Sequence, residues 1–412
     1  MPGFNLQWLT DQAHWFLWAI GTAMITMGLW PRRPKGSAAS IYRDPPDFAQ
    51  PSLAMSLPPS ASAHGPESWE TEEISMRPPR KGPDAYFRDI QAVLAKEVAP
   101  PLEAPYLALG KAVLDGRTHD SPWPKTEPIY VIGDIHGDFF ALAYLADQIL
   151  QWDGKLNLLF LGDLVDRGPH SAECLVLLDQ LAQKGKVLWL AGNHDLALSC
   201  SPEEGSFRSR VEPAEYADEL NQSDSRRILQ QWARHLITLA PSLPRAFLHS
   251  SGILFTHGGF PLEDLRAQRP NEPELLFPWL KSEKCLNDFT WTRMTRHPRK
   301  IPNRETLGSS YGHLDFDDFC TAVAPWADLR ALVAGHQHCQ EGFDVHPSWK
   351  KHPALTLTGF GFAEHVGYGR DYRPYLTTLK INPDGTRRVL KIPVNPSTFS
   401  DFMKTALPNA RM

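Results

Sequence analysis

The sequence is poor in cysteine, low in net charge and nearly free of long apolar runs. Its five cysteines (Cys174, Cys200, Cys285, Cys320 and Cys339) are scattered and odd in number, and no Cys-x-x-Cys pair occurs. That argues against a disulfide framework and for a reducing compartment around the main domain. A formal net charge of -5 on 412 residues gives no electrostatic reason to expect nucleic acid as a partner. No internal repeat is present, which sets aside solenoids and propellers. What remains is a globular composition, 42% hydrophobic, long enough for one large domain plus appendages.

The single long apolar run lies at the N-terminus. Residues 15–30 (WFLWAIGTAMITMGLW) carry no charge, and the uncharged window extends over 12–31. As a helix the run rises about 24 Å, a little short of a bilayer core of about 30 Å. Trp15 and Trp30 suit the two interfaces, and Arg32, Arg33 and Lys35 follow at once. The positive-inside rule then leaves the rest of the chain cytoplasmic. A cleaved signal peptide fits poorly, because basic residues are missing from the start. The expectation is a membrane-anchor helix over 1–31, with an amphipathic or docking helix as the alternative. Ten prolines between residues 31 and 80 mark 32–83 as a disordered linker. A lead-in helical segment, 84–121, precedes the main domain, 122–394, and a tail closes the chain over 395–412.

Within the domain, short apolar runs alternate with helical periodicity. Strands are expected at 129–132, 156–161 and 187–191, and helices at 139–152 and 171–182. This alternation predicts an α/β domain, a sheet with helices packed on it. A hairpin is expected around His249–Gly252, and further strands at 332–334, 354–358, 375–381 and 388–392. The first three runs end in loops rich in metal-ligand types: Gly133-Asp134-Ile135-His136-Gly137, Gly162-Asp163-Leu164-Val165-Asp166-Arg167-Gly168 and Gly192-Asn193-His194-Asp195. Asp134 to Asp163 spans 29 positions and Asp163 to Asn193 spans 30, one β-α unit each. The loops therefore converge at the carboxyl edge of the sheet. Thr256-His257-Gly258-Gly259 and Gly335-His336-Gln337-His338 add imidazoles.

Mixed carboxylate, amide and imidazole ligands suit transition metals such as Mn, Fe or Zn better than Mg or Ca. Asp134 and His136 are expected on one ion, Asp163 between two, and Asn193, His257 and His336 on the second. Two such ions share a water, lower its pKa and allow the resulting hydroxide to attack phosphorus in line. His194, beside Asn193, is the candidate general acid, with Asp166 orienting its ring. The planar fork of Arg167 suits phosphate oxygens. The plain alternative for the Asp and Asn residues is helix capping, for His194 and Asp166 a structural hydrogen bond, and for Arg167 an ion pair.

In this order the motifs GDIHG, GDLVDRG, GNHD, HGG and GHQ resemble those of the PPP-type serine/threonine protein phosphatases, within the calcineurin-like metallophosphoesterases. The likeness runs over roughly 128–343, and GDLVDRG is its specific part. It implies a calcineurin-like β-sandwich flanked by helices, two divalent transition-metal ions and phosphomonoester hydrolysis without a phosphoenzyme. Asp195 stands where the family has Glu. The family's Ser-Ala-Pro-Asn-Tyr stretch is absent, with Leu357-Thr358-Gly359-Phe360-Gly361 in its place. Trp291-Thr292-Arg293 resembles the Trp-x-Arg of bacterial members and makes Arg293 the second phosphate-binding candidate. In the wider superfamily a Gly-His-x-His loop gives both imidazoles to metal, but PPP members use only the first, so His338 is either a ligand of the first metal or, the reading favoured here, a surface histidine. The expected substrate is a phosphoprotein bearing phosphoserine or phosphothreonine, or a phosphorylated small molecule. The alternatives are a nucleotide or dinucleoside polyphosphate hydrolase using the same site, and an inactive scaffold.

Overall fold

The computed structural model describes residues 69–75, 83–96, 100, 123–222, 227–261, 282–303, 308–324, 327–361 and 375–393, all within one compact unit, Ala63–Met412. Among them no helix is long and apolar enough to cross a membrane. The anchor expected over 1–31, most of the linker, most of the lead-in segment and the tail fall outside the described residues.

In chain order the first elements are β1 (Glu70–Glu73), α1 (Pro83–Ala95), β2 (Ile129–Ile132), α2 (Phe139–Asp153), β3 (Asn157–Phe160), α3 (Ser171–Lys184), β4 (Lys186–Trp189), α4 (Asn193–Ala197), β5 (Leu198–Cys200), β6 (Phe207–Ser209), α5 (Glu215–Leu220) and α6 (Arg227–Leu239). Then follow β7 (Ala246–Leu248), β8 (Ile253–Thr256), α7 (Glu283–Trp291), β9 (Arg293–Met294), β10 (Ile301–Pro302), β11 (Ser309–Tyr311), α8 (His313–Val323), β12 (Ala331–Ala334), β13 (Phe343–Val345), β14 (Ala354–Leu357), β15 (Tyr375–Ile381) and β16 (Arg387–Pro393).

Two sheets pack face to face. One has the order β1-β16-β15-β2-β3-β4, the other β13-β14-β12-β8-β7. β2, β3 and β4 run parallel, as do β8, β12 and β14. Every residue of β2 is buried, because its two faces meet different layers. Val131, with Leu159 and Leu188, packs across the seam against Phe255, Val333 and Leu355. Tyr130 and Ile132 point the other way, into the layer of α2, α3 and α6, where Leu142, Leu145, Leu178, Trp232 and Leu236 are buried. On the far side, Leu254 and Leu332 pack with Phe289 of α7 and Phe316 and Phe319 of α8. Burial on both faces explains why these strands read as continuous apolar runs. The helix α1 also joins the first helical layer through the buried Ile90 and Leu94.

Register sets the level of the ligand loops. Ile132, Phe160 and Trp189 are aligned neighbours, so the loops after β2, β3 and β4 leave at one height. Thr256 and Ala334 are paired likewise, which levels the loops after β8 and β12. An isolated bridge from Asp134 to Thr358 links the β2 loop to the end of β14.

One correction falls in the stretch 32–83, expected to be a disordered linker throughout. Glu70–Glu73 instead adds a parallel edge strand to β16. Its residues are all exposed, so no apolar pattern betrayed it. Charge and backbone hold it: Glu70 and Glu72 pair with Arg388 at 3.0 and 3.3 Å, and the Ile74 amide donates to the Lys391 carbonyl at 3.0 Å.

Candidate active site

Among the described residues, five that are not glycine have positive φ: His136, Asp163, Asp166, Arg167 and His336. Each lies in one of the convergent loops. Such backbone costs about 1–3 kcal/mol per residue and persists where surroundings over-determine it. Gly162, at φ +109, and Gly192 let two loops touch: a methyl on Gly162 would strike the Gly192 backbone, and one on Gly192 would strike the Asp163 carboxylate.

The loops bring Asp134, His136, Asp163, Asn193, His257 and His336 into one buried cluster. Three groups have ligand atoms close enough to share an ion: Asp134, His136 and His338; His136, Asp163 and His194; Asp163, His257 and His336. Asp163 belongs to two of these. Its Oδ2 lies 3.6 Å from His136 Nε2 and 3.3 Å from His257 Nε2. The Asn193 side-chain oxygen lies 3.0 Å from His257 Nε2.

Ring orientation fits metal ligation. His136 Nδ1 and His257 Nδ1 face the carbonyls of Val165 and Leu161 at 3.0 and 2.9 Å, so each donates there and turns the lone pair of Nε2 to the cluster. His336 Nε2 is buried without a hydrogen-bond partner. Its amide donates to both Asp134 oxygens at 3.0 and 3.1 Å. Carboxylate, amide and imidazole groups gathered out of water in this way form a donor set that fits divalent transition metals.

The protonation pattern follows. Burial, then the Arg167 charge, pushes His136 well below the ordinary imidazole range. Burial and then Arg293 do the same to His336. At His257 burial opposes protonation, but the charge and hydrogen bond of Asp163, with Asp134, overcome it and lift the ring to about 9. Arg167 thus bears on His136 and Arg293 on His336.

His194 lies beside the cluster. Its Nδ1 is 2.9 Å from Asp166 Oδ2, its amide donates to Asp163 Oδ1 at 2.8 Å, and its ring meets His136 edge-on at 4.8 Å between centroids. Arg293 opens β9 and is held in place through the next residue: Gln337 accepts from the Met294 amide at 2.6 Å and donates to its carbonyl at 2.9 Å.

His338 needs correcting. It was expected at the surface, yet its side chain is only 8% exposed and its Nε2 lies 3.5 Å from Asp134 Oδ2. The same atom is 3.2 Å from His136 Nε2. The Gly-His-x-His spacing was the signal for it. Sequence reasoning also missed Phe360, whose ring packs on His338 and His136 at 4.8 and 5.6 Å, and Glu215 and Tyr216 of α5, which hold the Arg167 amide and the Asp166 carboxylate. No spacing rule pointed to these three.

A helix-flanked double sheet with such a cluster at its carboxyl edge defines a class of metal-dependent hydrolase folds. Residues 127–340, just over half of the sequence, match the calcineurin-like phosphoesterase family, and the chain belongs to it. The chain is 28% identical over 229 residues to a serine/threonine-protein phosphatase of Caenorhabditis elegans, covering 53% of this chain and 44% of that protein. It is 25% identical over 268 residues to a probable serine/threonine-protein phosphatase of Encephalitozoon cuniculi, covering 63% and 52%. It is also 33% identical over 131 residues to a symmetrical bis(5'-nucleosyl)-tetraphosphatase of Actinobacillus pleuropneumoniae, covering 32% and 44%. The chain thus spans about half the length of these curated relatives. Among solved structures, a protein serine/threonine phosphatase from Saccharomyces cerevisiae aligns with a TM-score of 0.49 at 18% identity, covering 75% of this chain and 90% of that one.

Proposed function

We propose that this protein is a two-metal phosphoesterase that hydrolyses phosphomonoesters, with phosphoserine and phosphothreonine on proteins as the substrate class. The observation that carries this reading is Asp163, shared between two ligand clusters with the His194–Asp166 pair alongside. Asp134, His136, Asp163 and His338 would hold one ion, and Asp163, Asn193, His257 and His336 the other. Bound divalent ions supply Lewis acidity, activating water near neutral pH and offsetting phosphoryl charge.

The remaining steps belong to side chains. Arg167 and Arg293 grip the phosphate oxygens and fix the phosphoryl group for in-line displacement. Asp166 anchors His194 through Nδ1, so that Nε2 presents its proton to the departing alkoxide oxygen.

The tetraphosphatase relatives support a second substrate class, dinucleoside polyphosphates. The two phosphatase relatives align over more of this chain, 53% and 63% against 32%, which favours the phosphoprotein. Metal-stripped protein resupplied with Mn decides between them, assayed on a phosphoserine peptide and on diadenosine tetraphosphate. Faster turnover of the dinucleotide would reverse the order, and no turnover of either would refute the activity.

The uncharged run at 15–30, followed by Arg32, Arg33 and Lys35, supports a membrane anchor with the catalytic domain on the cytoplasmic side. Release of the full chain from membranes by alkaline carbonate would refute it.

A further inference from the structure

Asp166 and Arg167 are consecutive and both at φ 68. Left-handed backbone costs an ordinary L residue about 1–2 kcal/mol, so this double kink needs restraint. It sets two functions together: it turns the Asp166 carboxylate to His194 Nδ1 and brings Arg167 near His136, whose protonation its charge opposes. Three hydrogen bonds hold it. The Asp166 amide donates to Ser171 Oγ at 3.0 Å. Asp166 Oδ1 accepts from the Tyr216 amide at 3.2 Å. The Arg167 amide donates to Glu215 Oε2 at 3.1 Å.

Two of the three come from the first turn of α5, about 50 positions further along the chain. Tyr216 is itself fixed, with a fully buried ring in the helical layer. Glu215 spends its carboxylate on the backbone amide of Arg167 rather than on the neighbouring guanidinium, whose Nε is buried without a hydrogen-bond partner. An ion pair there would neutralise the cation that has to meet phosphate.

We infer that Glu215, carried on the Tyr216 anchor, is a positioning residue: it locks the Asp166-Arg167 kink so that the proton donor and the phosphate grip are set as one unit, while leaving the guanidinium unpaired. The inference rests on the hydrolase reading above, and its test separates the two. In the full chain loaded with Mn, Glu215→Ala and Glu215→Gln are compared with wild type on a phosphoserine peptide, whose alkoxide leaving group needs a proton, and on p-nitrophenyl phosphate, whose leaving group does not. Glu215→Ala should lower kcat on the peptide by about 10- to 100-fold, lower it far less on the aryl ester, and raise KM on both. Glu215→Gln, whose amide oxygen still accepts from Arg167, should recover most of the loss. In metal-free protein, the His194 Nδ1 proton signal in NMR should weaken in the Ala variant and persist in the Gln variant.

An unchanged ratio of the two substrates in Glu215→Ala, or equal losses in both variants with a lowered Tm, would overturn the inference. If wild type turns over neither substrate, the hydrolase reading fails, and the His194 signal alone decides whether Glu215 positions the kink.

Discussion

The Asp195 carboxylate accepts the amide hydrogen of Asp163 at 2.9 Å. It also accepts from Leu164 and Gly192, both at 2.9 Å. One buried side chain thus ties the GDLVDRG loop to the GNHD loop and fixes the separation of their ligands. Burial, then the Asp163 charge, raises its carboxyl to about 6 against those amides. Asp195→Ala strands three buried N–H groups, each worth about 1–3 kcal/mol. The expected loss is roughly 3 kcal/mol or more, read as a lower denaturation midpoint at unchanged slope. Asp195→Glu keeps the acceptor and should cost less.

Asp163→Asn should remove most of the rate and most of the bound metal, measured by activity and by elemental analysis of dialysed protein. His194→Asn should cut turnover by about 10²–10⁴-fold with metal content unchanged. Equal metal loss in the two variants would refute the separate role given to His194.

Stability should fall on the acid side through His249. Burial, then the Arg387 charge, lowers its pKa from 6.5 to about 4, and Nδ1 accepts from the Ser251 amide at 3.3 Å. The folded state therefore resists a proton that the unfolded state takes. The contribution is complete above pH 6.5 and is lost as pH falls toward 4, with an upper limit of about 3.4 kcal/mol. His249→Gln should flatten the unfolding free energy across that window.

Mn should raise the unfolding midpoint. Binding to the folded state alone adds about 2.7 kcal/mol at a hundredfold excess over Kd. Calorimetry with and without a chelator checks this, and Asp163→Asn should lose most of the increment.

Strands buried on both faces were readable because Val131, Leu159 and Val333 sit in unbroken apolar runs. The six candidate ligand positions were readable because each lies within four residues of the end of such a run. β1 was hidden, since Glu70 and Glu72 are held by a cation more than 300 positions away. His338 was legible in spacing but weighed against by analogy. Glu215 was not legible: its partner is a backbone amide, which leaves no mark on residue type, and the left-handed turn that needs it is invisible until φ is known.

The cluster draws Asp134, Asp163 and Asn193 from one sheet and His257 and His336 from the other. Its centre therefore works as a rivet through two plates. With divalent ions held there, a slide of either plate would shift the ligands against each other, and removing the ions would loosen the plates. Substitutions at Phe255 or Leu159, in the core between the sheets, should accordingly be felt first as weakened retention of metal.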